Sequence, residues 1–140
     1  PEPSPLAGMY LKVLILDGFA HLSGQRPRDT DGKAISGRVP SQCSIDDAIA
    51  AARECGLQSL AVLRRELGSL DRVEQVVRTF GMVNADPGFE FHPRVIDGYS
   101  NLMIEVFGEA GRGARSAVGM SSLPFDISVE VEMTVKLKPG

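Results

Sequence analysis

From Ile127 to Lys136 the chain alternates without a break: Ile127, Val129, Val131, Met133 and Val135 are apolar, while Ser128, Glu130, Glu132, Thr134 and Lys136 are polar. A period of two belongs to a strand whose successive side chains point to opposite faces of a sheet. One face of that sheet must therefore be covered by apolar material from elsewhere in the chain, and the other is polar.

The cover is legible upstream. Ser44 with Asp47 makes a capping-box-like start, after which Ile45, Ala48, Ile49, Ala52, Leu60, Leu63 and Leu67 recur at helical spacing until Gly68 supplies a stop. Pro93 suits the first turn of a second helix with an apolar stripe of Val95, Tyr99, Leu102, Met103 and Val106, ending near Gly108. Around the helices lie further strands. "LKVLIL" (11–16) and "FAHLSGQ" (19–25) flank Asp17-Gly18 and read as a tight hairpin; "VEQVVRTFGMV" (73–83) is rich in β-branched residues; Arg115 to Met120 is short and small-residue-rich. Residues 26–43 carry Pro, Gly and Asp and read as a long loop, with a small extra hairpin across Asp31-Gly32. The order β-β-α-β-α-β-β predicts an α+β sandwich with two helices on one face of a mixed sheet, and a chain of 140 residues fits a single domain spanning 1–140. Nothing in the sequence remains to cover the second face, which is expected to be buried between subunits, the alternative for a largely polar face being to stay solvated.

Composition excludes several functions. A net charge of −3 with dispersed Lys and Arg gives no general attraction to nucleic acid. No apolar run approaches the ~20 residues of a membrane span, and "PEPSPLAGMY" lacks the features of a signal peptide, so a cytoplasmic protein without membrane contact is expected. Cys43 and Cys55 lack the company of other metal ligands, and no metal or cofactor is expected.

The chemically informative residue is Arg115, which opens an otherwise small and apolar segment. Joined by "SSLPFD" to the alternating strand, that segment reads as one arm of a hairpin, in the register that puts Arg115 on the face of Glu130 and Glu132, because an unpaired guanidinium among Val129 and Val131 costs too much. A guanidinium fork there matches a ligand carboxylate, with Ala117 and Gly119 leaving room beside it. The simpler alternative is a cross-strand ion pair between Arg115 and one of the two glutamates. His21, on a strand, reads as a satisfied core histidine, His92 as a surface residue, and Phe89 and Phe91 as a staple on the second helix. Pro1 invites comparison with enzymes that use an N-terminal proline amine, although "PEPSP" is not strand-like.

In order, "HLSGQRP", "ARSAVGMSSLP" and "VEVEMTV" resemble motifs of the Rid family of reactive-intermediate deaminases, also called the YjgF family, and "VIDGYSNLMIEVFGEAG" is similar to its longer branch, where the helix reads closer to "VINGASDLLVEVFGEAG". The resemblance covers nearly the whole chain. It implies a chorismate-mutase-like fold, a homotrimer with interfacial clefts, and hydrolysis of carboxylate-bearing enamines or imines to 2-oxo acids and ammonia without a cofactor. By position it makes Arg115 the carboxylate clamp and Glu130 the holder of the hydrolytic water, with Tyr10, Gly24 and Ala117 lining the substrate site. This chain departs from the pattern at Ala117, where well-known deaminating members have cysteine, at Gly119, where they have an acid, at Gly113, where the longer branch has histidine, and at Asp97 and Asn101, which exchange the usual Asn and Asp. A non-catalytic carboxylate-binding or accessory protein is the alternative function.

Overall fold

The computed structural model describes residues 8–29 and 31–140; Pro1 lies outside them. β1 (Val13–Leu16) and β2 (Phe19–Gln25) form the expected antiparallel hairpin, with Asp17 and Gly18 both at positive φ, the conformation a two-residue turn needs. In the loop that follows, an isolated bridge between Arg28 and Ala34 closes the small hairpin at Gly32.

α1 (Ile45–Leu67) starts where Ser44 Oγ accepts the Asp47 amide at 3.1 Å and stops at Gly68, whose φ of 82° lets its amide reach the Arg64 carbonyl. β3 (Val73–Asn84) leads to α2 (His92–Phe107), which has Pro93 in its first turn. The helices pack through small residues. Ala48, Ala51, Ala52, Cys55 and Ser59 are buried on α1, and a Cβ on Gly98 of α2 would overlap the Ile49 carbonyl oxygen. Tyr99, fully buried, crosses the same seam and donates its hydroxyl to Ser59 Oγ at 2.8 Å.

β4 (Ala114–Met120) and β5 (Val129–Leu137) complete a five-stranded mixed sheet in the order β1-β2-β5-β3-β4. Val129, Val131, Met133 and Val135 enter the core beneath the helices, as their alternation requires. The last two strands are not a hairpin. β5 runs antiparallel between β2 and β3, and β4 lies outside β3 as a parallel edge strand. β3, α2 and β4 form a β-α-β unit, whose crossover helix is what makes parallel pairing possible.

This pairing moves Arg115 to the opposite face from the one expected. Arg115 stands beside Thr79, and Thr79 stands beside Met133, so Arg115 shares the helix-covered face with Met133, whereas Glu130, beside Met82, points to the other side. The penalty for a guanidinium on that face is avoided because β4 is the sheet edge and α2 supplies a carboxylate. His21 also differs from expectation: it is exposed on the outer face, 3.2 Å from Thr134 Oγ1. His92 is half-buried rather than a plain surface residue, its ring edge-on to Phe89 at 5.1 Å, and Phe89 and Phe91 meet edge-on at 6.0 Å.

Candidate active site

Two cavities, one on each side of the sheet, hold four of the residues singled out in the sequence, Tyr10, Gly24 and Glu130 in one and Arg115 in the other, and Ala117 lines neither. The first, about 460 Å³, is lined by Tyr10, Ser23, Gly24, Arg26, Phe125 and Glu130, among others. It exists because β2 bulges between Leu22 and Gln25, where its pairing with β5 slips, bringing Gly24 over the Glu130 side chain. A Cβ on Gly24 would overlap Glu130 Oε2, so only glycine leaves the carboxylate its place. Partial burial raises the Glu130 pKa above the ordinary carboxylate value; the neighbouring Glu132 charge adds to this and Arg26 opposes it. Arg26 itself lies 5.3 Å over the ring of Phe125, forming a cationic, aromatic rim. Tyr10 is 44% exposed at the mouth.

The second cavity, about 290 Å³, opens on the helix side of the sheet edge, where Thr79, Asp97, Ser100, Asn101, Gly113 and Arg115 are among its walls. Arg115 Nη1 donates to Asp97 Oδ1 at 2.7 Å and to Ser100 Oγ at 3.3 Å, and Nη2 donates to the Pro93 carbonyl at 3.4 Å. Three residues of the first turns of α2 thereby hold the guanidinium against the helix. Ala117 follows on the same face of β4, beside Gly81 of β3, and is half-buried against the core. At Gly119 the space a side chain would need is filled by His92, whose Nε2 would lie 2.6 Å from an added Cβ. At Gly113 an added Cβ would lie 2.5 Å from the Val76 carbonyl oxygen. The departures at these two positions are thus fitted to their surroundings, one by a side chain and the other by backbone.

Within one chain, then, Tyr10, Gly24 and Glu130 come together, while Arg115 lies across the sheet from them with Ala117 along its strand. Asp97 as the partner of Arg115 was not foreseen, since 18 positions separate them and only the parallel placement of β4 beneath α2 makes them neighbours. Arg26 and Phe125 were missed because they stand 99 positions apart, one just after β2 and the other just before β5, and meet only in the fold. Among the described residues no group of three His, Cys, Asp or Glu could hold a metal, and no helix is long and apolar enough to cross a membrane. Cys43 and Cys55 are buried free thiols.

The family described as "YjgF/chorismate_mutase-like, putative endoribonuclease" matches residues 1–136. Protein TCP17 of Trypanosoma cruzi is 42% identical over 138 residues, covering 98% of this chain and 86% of its own. Among solved structures, protein Atu1372 of Agrobacterium tumefaciens, titled as having unknown function, shares 38% identity with a TM-score of 0.88 over 91% of this chain and 82% of its own. A protein of Shewanella oneidensis described as a "putative endoribonuclease" shares 30% identity with a TM-score of 0.93, covering 98% of this chain and 91% of its own.

Proposed function

Because the chain belongs to the YjgF family, also called the Rid family, we propose that it hydrolyses carboxylate-bearing imines or enamines to 2-oxo acids and ammonia, at sites built from two copies of the chain in a trimer. The observation that carries this reading is the grouping of Glu130, Gly24 and Tyr10 in one cavity, where partial burial raises the Glu130 pKa above the ordinary carboxylate value and makes it a stronger base. Arg115, the group suited to hold a carboxylate, faces away from that cavity within its own chain, so one ligand meets both only where the edge of one subunit abuts the outer face of the next. The outer face is suited to such contact: Leu14 and Leu16 are exposed there, alongside Phe19, His21 and Thr134 in register, and Val118 is exposed on the same side of β4.

In the proposed reaction Arg115 binds the ligand carboxylate through its Nε–Nη2 edge. Glu130 of the neighbouring copy accepts a proton from water as the water oxygen bonds to the imine carbon and the C=N electron pair moves to nitrogen, which takes up a proton. Glu130 then passes its proton to the amino nitrogen of the resulting carbinolamine, and as the hydroxyl proton is lost to the medium the C=O bond forms and the C–N bond breaks, releasing ammonia and the 2-oxo acid with Glu130 again ionised. No protein nucleophile is needed, so Ala117 in place of a cysteine leaves the route open, and positioning with a base for water supplies the acceleration.

Arg115 offers the direct test of ligand capture. Arg115→Lys keeps the charge but loses the planar fork, and Arg115→Ala loses both. Calorimetry with pyruvate should show weaker binding by about tenfold or more in each, a loss of at least ~1.4 kcal/mol, with the far-ultraviolet circular dichroism unchanged. Unchanged affinity in both variants would remove Arg115 from the site.

A further inference from the structure

Arg26 reaches the Glu130 cavity from the segment after β2, two residues beyond Gly24, and it arrives with its donors unspent. Among the described residues its guanidinium makes no hydrogen bond and no ion pair, although Glu130 and Glu132 line the same cavity and its charge is felt at Glu130. What holds it is an aromatic ring. Arg26 Cζ lies 5.3 Å over Phe125, an attraction that uses the positive charge and leaves the five N–H groups to other partners.

Phe125 is placed for display rather than for packing. Its ring is 70% exposed beside the cavity, and its backbone stands at a φ of 58°, a left-handed conformation that bulky residues seldom adopt. Strain of this kind collects where a segment meets a ligand, and the ring takes no part in the core that would otherwise account for it. On the other side of Arg26, Lys12 is pressed below the ordinary lysine pKa, first by burial and then by the charges of Arg65, Arg26 and Arg28. An anion seated at Arg26 would relieve that repulsion. The cavity itself, about 460 Å³, is of the size that holds ligands well beyond a three-carbon acid.

We propose that Arg26 is the receptor for a second acidic group on the substrate, so that this protein acts on four- and five-carbon imino or enamine dicarboxylates in preference to acids with short apolar side chains. The proposal rests on the reading of the Glu130 cavity as the reaction site and adds the side-chain class that the cavity takes. Guanidinium N–H groups meet a carboxylate in two parallel hydrogen bonds, which gives selection as well as attraction. A carboxylate suits the place better than a phosphate, because a dianion would meet Glu130 and Glu132 in the same cavity against one guanidinium. Phe125 acts as a positioning residue here, holding the cation at the mouth and away from the two glutamates.

The test uses 2-oxoglutarate and 2-oxopentanoate, stable five-carbon acids that differ only in carrying a terminal carboxylate or a methyl group, titrated calorimetrically into the full chain and its Arg26→Gln variant. The wild type should bind 2-oxoglutarate about tenfold more tightly, and Arg26→Gln should bring the two affinities together through weaker 2-oxoglutarate binding. The substitution also removes a charge near Glu130, but that change reaches both probes through the same 2-oxo acid end and cancels in their ratio. A general loosening of the cavity cancels in the same way. The wild-type ratio is itself a test that needs no variant: equal binding of the two acids would overturn the proposal, as would a preference that survives Arg26→Gln. If the wild type binds neither acid, the reading of the Glu130 cavity as the reaction site fails and takes the proposal with it, a result distinct from binding without preference.

Discussion

Replacing Glu130 by Gln is expected to lower the rate of ammonia release from enzymatically generated 2-imino acids by roughly 10²–10⁴-fold, the usual contribution of a positioned general base, while pyruvate binding and the assembly persist. The amide fills the same space above Gly24 but cannot accept a proton from water. The same substitution should have the opposite effect on stability. Glu130 has a raised pKa in the folded chain, so the native state holds its proton more tightly than the unfolded state does. Stability from that proton is fully present below the unfolded-state pKa and is lost as pH rises through the folded-state pKa. At neutral pH the ionised side chain is therefore a liability that Gln lacks. Thermal melts should show the variant at least as stable as wild type at neutral pH, with the difference closing as the solution is made acid. A rate equal to wild type across small, branched and conjugated substrates would return the protein to the non-catalytic binding class.

Gly98→Ala should cause the largest loss of stability among the glycine substitutions at the helix seam. The added methyl overlaps the Ile49 carbonyl oxygen, which is backbone of α1 and cannot rotate aside. The helices must separate, disturbing Tyr99 and its bond to Ser59 one residue further along. Overpacking of this kind costs ~1–3 kcal/mol and sometimes more. With backbone as the obstacle the upper end is expected, a fall in Tm of about 10 °C for a chain of this size. Gly88→Ala is the informative control: φ is 85° but nothing lies within 4 Å of an added Cβ, so only the conformational cost remains, ~1 kcal/mol. Calorimetric melts in which the two variants fall equally would show that the helix seam is looser than its geometry implies.

Most of the local structure was legible because it is decided locally. Ser44, Gly68, Pro93 and the Asp17-Gly18 turn act through bonds or dihedral preferences within a few residues, and the alternation of β5 reports its own two faces. What could not be read was which strand β4 joins. Its partner is set by the crossover of α2, and the segment 121–128 that links it to β5 is a longer connection than a two-residue hairpin turn. The error carried straight into the site, since shifting β4 from β5 to β3 moved Arg115 to the other face of the sheet. An unpaired guanidinium on that face would be costly, and Asp97 is the group that makes the helix-side position tolerable. Gly24 and Glu130 were named separately through the family resemblance; that one must be glycine to make room for the other became visible only with the β2 bulge.

Arg115 and Glu130 lie on opposite faces of the sheet, so they can share a ligand only across two chains, and subunit mixing tests this. At substrate concentrations well below saturation, Arg115→Ala and Glu130→Gln alone are each expected to keep no more than about a tenth of the wild-type activity. After the two are unfolded together in equal amounts and refolded, any interface that joins Arg115 from a Glu130→Gln chain to Glu130 from an Arg115→Ala chain contains both groups, so about one site in four should regain function in a randomly mixed ring. Ammonia release at about a quarter of the wild-type rate, from particles whose mass by light scattering is that of a trimer, is the predicted result. Mixtures no more active than their parents, although the wild-type protein carried through the same refolding is active, would contradict a site shared between chains.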